Sequence, residues 1–382
     1  MKVRCPGSLA ILLPLSALAA FSIDALFAPV VTEQSPGAAV MVRRDGHAVF
    51  QRGYGVSDLA TRNKIGPSTN FRLASFTKQF TAMAIMLLVH DGKLDYEQRL
   101  TDVFPDFPSY GRAITIRALL THTSGLPDYE DLMGNEWSVS HQISDAEVLD
   151  LLKKQTAGKF APGTSWAYSN SGYVVLGTVV ARVSGRSFPR FLEDRIFDPL
   201  HMTSTVAYIK GQNEVKNRAY GYSRDDHGGF VNTDQSSTSA TLGDGGVYSN
   251  LSDLAKWDDA LNEHTLLSAG EMAAAWTPVK SRDGSNPTWP AQAGDDNLAP
   301  GKPVAYGFGW FLEPYKGHAR TWHPGSTSGF RTVIERFPSE RLSIIILSNR
   351  TDLDPSALAL RIADYGITSK TAPFAGNDGG SR

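Results

Sequence analysis

Two apolar-rich runs, 37–43 (GAAVMVR) and 48–55 (AVFQRGYG), flank Arg44, Asp45 and Gly46. A turn-forming trio between two such runs predicts a pair of adjacent strands. From Ser75 the period changes: Phe76, Phe80, Met83, Ala84, Leu87 and Leu88 recur every three or four positions as far as Gly92. That spacing places them on one side of a helix and predicts that the helix lies in the core. Shorter helical patterns cover 116–120, 145–154, 173–183, 188–196 and 252–261, separated by loops rich in Gly, Pro and Asn. Positions 282–303, rich in Gly, Pro, Asp and Asn, predict a long exposed loop. Strand-like runs return at 306–312, 318–323, 329–337 and 342–347, and a last helical pattern covers 355–365.

Strands at both ends with helices between predict an α/β (α+β) fold, an antiparallel sheet flanked by helices and completed by both ends of the chain. The expected division is a sheet-containing domain built from 29–92 and 300–368, an inserted mainly helical domain over 93–299, and a disordered tail over 369–382. No internal repeat is present.

The first residues follow another logic. Lys2 and Arg4 precede the apolar run 9–15, and Ala17, Leu18 and Ala19 form a small-x-small pattern, so 1–19 reads as an export signal, with a cut after Ala28 as the alternative. The run is too short for comfortable membrane insertion. The single cysteine, Cys5, lies within 1–19 and upstream of that run, so the mature chain has no disulfide, thiol nucleophile or thiolate metal site. A periplasmic or secreted protein follows.

Among 382 residues, 37 Lys+Arg against 39 Asp+Glu leave a net charge of -2, which offers no basic field for nucleic acid. Hydrophobic residues at 41% rule out disorder throughout. The chain lacks G-x-S-x-G, the P-loop pattern and H-E-x-x-H, and its nine histidines show no ligand spacing, so neither a metal nor a cofactor is expected.

Three segments can carry chemistry. Ser75 and Lys78 stand three apart at the start of the apolar helix, on one face, where a desolvated lysine can deprotonate a serine. Tyr168 and Asn170 lie on a turn after Pro162 and Gly163; a phenol can relay a proton and an amide can bind a carbonyl. His323, Pro324, Gly325 and Ser326 end a strand-like run, where Gly325 lets substrate approach and the Ser326 and Ser75 amides can form an oxyanion hole. Each alone also fits a plain helix cap, core tyrosine or surface turn. The tryptophans are too dispersed for a sugar-binding stripe, although Trp166 and Trp322 lie near enough to these segments to shape a pocket.

In this order, the three segments resemble the penicillin-recognising serine hydrolases: class C β-lactamases, D-alanyl-D-alanine carboxypeptidases, and related esterases and D-aminopeptidases. Further matching stretches are 71–81 (FRLASFTKQFT), 119–129 (LLTHTSGLPDY), 243–257 (GDGGVYSNLSDLAKW) and 323–330 (HPGSTSGF). The resemblance implies a β-lactamase-like fold and an acyl-enzyme on Ser75. It also implies acid/base duty shared by Lys78 and Tyr168, substrate binding by Asn170, His323, Gly325 and Ser326, and residues 122–125 along the cleft wall. Where many relatives have Lys-Thr-Gly, this chain has His323-Pro324-Gly325, lacking the hydroxyl that grips a substrate carboxylate. The expected order of substrates is therefore esters or amides, then D-amino-acid peptides, then β-lactams. The alternative from another class is a noncatalytic or acylation-only penicillin or cell-wall binding protein.

Overall fold

The computed structural model describes residues 21–290, 300–369 and Phe374. The first hairpin forms as its sequence predicts, with β1 (Ala38–Arg44) paired to β2 (His47–Tyr54) and a register shift between Val42 and Arg43. The last third supplies β3 (Thr321–Thr327), β4 (Phe330–Phe337) and β5 (Leu342–Ser348). The strands join in the order β2-β1-β5-β4-β3, antiparallel throughout.

Both faces of this sheet are covered, which explains why every residue of β5 is buried. Successive side chains alternate between faces. Ala39, Met41, Ile345 and Leu347 join the core that contains Phe76, Phe80 and Leu88 of the nucleophile segment and of α1 (Lys78–His90). Ala38, Val40, Val42, Ile344 and Ile346 join a second core, with Ala359, Ile362 and Ala363 of the C-terminal helix Pro355–Thr368. Ile23, Leu26 and Phe27 also fill this second core, and Asp24 binds Arg52 and Tyr54. A cut after Ala28 would remove all four, whereas the expected signal 1–19 lies outside the described residues.

Between the two halves of the sheet also lie α2 (Asn170–Ser184) and α3 (Leu251–Glu263), and the C-terminal helix becomes α4 (Pro355–Thr368). This region also holds a small sheet the sequence reading missed: Val247–Ser249 pairs with Phe71–Arg72 and with Val206–Ala207. Strands of two or three residues carry too little alternation to be read. Three other expectations change. Run 306–312 turns at Gly309 and makes isolated bridges only; the run expected at 318–323 begins at Thr321 and continues to Thr327; and helix 188–196 gives way to a π-helical turn, Glu193–Phe197. The expected tail lies mostly outside the described residues, but Phe374 is buried against Tyr365.

Asp258 of α3 pins this insertion to the sheet. It accepts hydrogen bonds from Arg43 at 3.0 Å, Arg336 at 2.7 Å and Ser343 at 2.9 Å, and all four residues are buried.

Candidate active site

The Ser75 segment is a single 3-10 turn, Ala74–Thr77, leading directly into α1. Ala74 has a φ of 51°, a conformation costly for a residue with a Cβ, so the chain stores strain immediately before Ser75. The turn docks on β3 at Gly325, where a Cβ would fall 2.2 Å from the Leu73 carbonyl and from Thr332 Oγ1. Thr332 donates to that carbonyl at 2.8 Å. The absence of a side chain at 325 therefore sets the distance between strand and nucleophile.

Lys78 is completely buried beneath Ser75. Its Nζ donates to Ser75 Oγ at 3.0 Å, Asn170 Oδ1 at 2.9 Å and the Asp244 carbonyl at 3.0 Å. Burial brings its pKa from 10.5 down to about 8, against the opposing pull of Asp244, Asp128 and Glu130. Two of its three partners are oxygens that can only accept, while the third is a hydroxyl that can also donate. When Lys78 loses a proton, the contact free to reverse is the one with Ser75, which then donates into the lysine lone pair. The ammonium also lies 4.8 Å from the centre of the Tyr168 ring, so Ser75, Lys78 and Tyr168 share one site.

Asn170 opens α2, and Ser169, rather than Asn170, caps the helix by accepting from Gly172 N–H at 3.0 Å. The cap frees the Asn170 amide to bridge Lys78 and Glu130, whose Oε1 accepts at 3.2 Å. His122 secures the loop from behind: its Nδ1 accepts from Ser169 N–H at 3.1 Å and its ring lies 4.4 Å from that of Tyr168. Burial holds its pKa well below 6.5, so it stays neutral.

The cleft has a volume of about 1680 Å³. Of the predicted residues, Ser75, Tyr168, Asn170, Gly325 and Ser326 line it, with Lys78 bound beneath Ser75. His323 is the exception. It is fully buried and does not line the cleft, with Nδ1 against the Pro324 carbonyl at 2.6 Å and Nε2 against the Tyr306 hydroxyl at 3.1 Å. Burial and the nearby Lys78 charge push its pKa down to about 3, so it offers substrate neither a positive charge nor an exposed edge. Residues 122–125 are likewise buried behind the wall rather than along it.

The wall itself contains residues the sequence reading passed over. Asp128, inside the matched stretch 119–129, and Glu130 and Asp131, directly after it, stand on the Asn170 side. The pKa values of Asp128 and Glu130 are raised, chiefly by burial, while Lys159 neutralises Asp131 at 2.9 Å. Trp289, inside the expected exposed loop, is buried against Trp166 with ring centres 4.5 Å apart; these two line the cleft, and Trp322 does not.

The sequence profile described as beta-lactamase matches residues 23–366. Penicillin-binding protein 4* of Bacillus subtilis (strain 168) is 31% identical over 358 residues, covering 90% of this chain and 75% of that protein. A D-aminopeptidase of Cereibacter sphaeroides is 28% identical over 319 residues, covering 83% of this chain but only 57% of its own length. Among solved structures, an octameric penicillin-binding protein homologue from Pyrococcus abyssi superposes with a TM-score of 0.72 at 26% identity, covering 89% of this chain and 75% of that one. The D-amino acid amidase of Ochrobactrum anthropi SV3 shares the fold, with a TM-score of 0.74 at 23% identity over 91% of this chain and 97% of its own.

Proposed function

The chain belongs to the beta-lactamase family of serine hydrolases, and from that premise we propose that it is exported and hydrolyses amides or peptides with a D-residue and a free amine on the acyl side. The observation that carries the reading is the buried Lys78, bonded at once to Ser75 and Asn170 with a pKa near 8. The D-aminopeptidase relatives support the substrate class. So does the acidic wall of Asp128 and Glu130 beside Asn170, which is suited to an ammonium group. This reading moves amide and peptide substrates ahead of esters.

Ser75 Oγ gives its proton to neutral Lys78 and bonds to the substrate carbonyl carbon, while the Ser75 and Ser326 amides take the developing oxyanion. Tyr168 relays the proton to the leaving amine as the C–N bond breaks. Water then enters, loses its proton through the same pair and cleaves the Ser75 ester, restoring the hydroxyl.

Intact-protein mass spectrometry with a fluorophosphonate and a penicillin, on wild type and Ser75→Ala, tests the nucleophile. Only the wild type should gain mass; labelling of both would place the nucleophile elsewhere. D-alanine p-nitroanilide should be cleaved faster than its L-isomer and its N-acetyl derivative. Equal rates for the free and acetylated amines would remove the acidic wall from substrate recognition, and a persistent penicillin adduct without turnover would favour an acylation-only protein.

A further inference from the structure

Stretches 119–129 and 243–257 meet beneath Lys78, where the first ends at Tyr129 and the second opens with Gly243 and Asp244. Segment 243–245 threads between α2 and the Ser75 turn. A Cβ at Gly243 would fall 2.3 Å from the Tyr173 carbonyl oxygen, and one at Gly245 would touch the Ala74 backbone at 3.6 Å. Thr81 of α1 donates to the Gly243 carbonyl at 2.6 Å. Asp244 is thus held by three elements, and its carbonyl is the one to which Lys78 donates.

The Asp244 side chain is less well matched. It is buried and does not line the cleft; Oδ2 accepts from the Tyr129 hydroxyl at 3.2 Å, and Oδ1 has no hydrogen-bond partner among the described residues. Tyr129 is itself fixed, its N–H donating to Ser171 Oγ of α2 at 2.7 Å. Burial, reinforced by Asp244, holds the Tyr129 pKa well above 10, so the phenol keeps the proton it donates. The buried Arg72 guanidinium donates to the Gly245 carbonyl at 3.3 Å and to Ser239 instead. Asp145, at the start of the helix Asp145–Lys153, accepts from Leu242 N–H at 2.9 Å. Burial, with Asp244 adding to it, pushes the Asp145 pKa up to about 8, so this neighbour is uncharged at neutral pH.

Lys78 itself faces the rings of Tyr168 and Tyr173, with centres 4.8 and 5.5 Å from Nζ, and the imidazoles of His122 and His323, both held neutral by burial. Of the three carboxylates that pull on it, Asp244 pulls most strongly. Asp128 and Glu130 line the cleft, where a substrate amine would answer them. Asp244 lies outside the cleft lining and acts on Lys78 whether the cleft is full or empty.

We propose that Asp244 is a positioning residue acting through Lys78: its carboxylate, oriented by Tyr129, favours the ammonium that forms when the amine takes the Ser75 proton. In that step the Ser75 O–H bond breaks, an N–H bond forms on Lys78, and the freed oxygen electron pair makes the bond to the substrate. The positive charge then appears in a field already set by the fold. The inference rests on the general-base reading of Lys78 above. Without the Asp244 charge, Lys78 would shed its proton at lower pH but be a weaker base once it had done so.

The test follows the rate at which an uncharged fluorophosphonate labels Ser75 between pH 6 and 10, by intact-protein mass spectrometry, in wild type, Asp244→Asn, Asp244→Ala and Asp145→Asn. Such a probe neither titrates nor depends on the substrate class. Both Asp244 variants should move the alkaline rise about one pH unit toward acid and lower its plateau about threefold, so that they label more slowly than wild type at pH 10 and faster at pH 6. Asp145→Asn should leave the rise in place. Rates reduced by one factor at every pH would assign Asp244 a purely structural role and overturn the inference, as would an equal displacement in Asp145→Asn. A wild type labelled at a rate independent of pH would sink the general-base reading of Lys78, and this inference with it, while a wild type that is not labelled at all would sink the serine-hydrolase reading beneath both.

Discussion

Two buried charges, Asp258 on α3 and Lys78 on α1, are handled in opposite ways. Asp258 is surrounded by two guanidinium groups and a hydroxyl, all within 3.0 Å, and its charge is cancelled where it stands. Lys78 is as deeply buried, but its partners within hydrogen-bond reach are a hydroxyl, an amide oxygen and a backbone carbonyl. Carboxylates act on it only from further away, and burial wins. A compensated buried charge fixes one arrangement of the chain; an under-compensated one becomes a group ready to give up its proton.

The largest expected effect separates the two roles. Lys78→Met should lower kcat/KM on a D-aminoacyl p-nitroanilide by about 10³-fold, in the range for losing a general base. Its melting temperature should match or exceed that of wild type, because a desolvated charge is removed. A large drop in melting temperature would show that Lys78 also holds the fold together.

Asp258→Ala should do the reverse. It leaves Arg336 in the core without a carboxylate and Arg43 with Asp259 alone, and should cost about 3 kcal/mol in urea unfolding, while turnover per folded molecule is kept. Loss of activity at full stability would break the contrast.

Gly325→Ala tests whether the spacing between β3 and the nucleophile turn matters as much as the lysine. The added methyl meets the Leu73 carbonyl and Thr332, and moving them should cost about 2 kcal/mol in stability together with a fall in kcat. Unchanged kcat would mean that the strand's position relative to Ser75 is not limiting.

The smallest effect is a pH profile. With the Lys78 pKa at about 8, kcat/KM should rise about tenfold between pH 7 and 9 as the neutral amine forms. Stability carries the same signature. The unfolded lysine keeps its proton up to its ordinary 10.5, so between pH 8 and 10.5 the folded state binds fewer protons, and this group's contribution rises with pH. The Lys78→Met variant should lose both trends; a wild-type profile flat from pH 6 to 10 would count against proton transfer through Lys78.

Much of this was legible in the sequence where the chemistry is local. Ser75 and Lys78 announce themselves at one spacing on one helix, and Tyr168 and Asn170 share a turn. The hairpin of β1 and β2 and the core face of α1 follow from period alone. The rest depended on partners far along the chain. His323 looked like a cleft residue because it stands next to Pro324 and Gly325, but it is buried against Tyr306, a tertiary contact that its place in the sequence does not announce. Asp128 stands inside a matched stretch and Glu130 directly after it, yet nothing in their spacing says that α2 will bring Asn170 beside them. Trp289 was hidden because loop composition predicts exposure, and burial by Trp166 and Phe311 is a tertiary fact.

The order of strands in the main sheet has a consequence for the timing of assembly. Gly37 and Ser348, joined by a hydrogen bond, are 311 residues apart. At a synthesis rate of about 5–20 residues per second, β1 waits roughly 15–60 s for β5 to emerge. The strand that faces Ser75 is made almost as late. A nascent or C-terminally clipped chain carries Ser75 on its 3-10 turn and Lys78 on α1, yet it lacks the strand that packs against that turn. Assembly of the cleft is thereby withheld until synthesis is nearly finished.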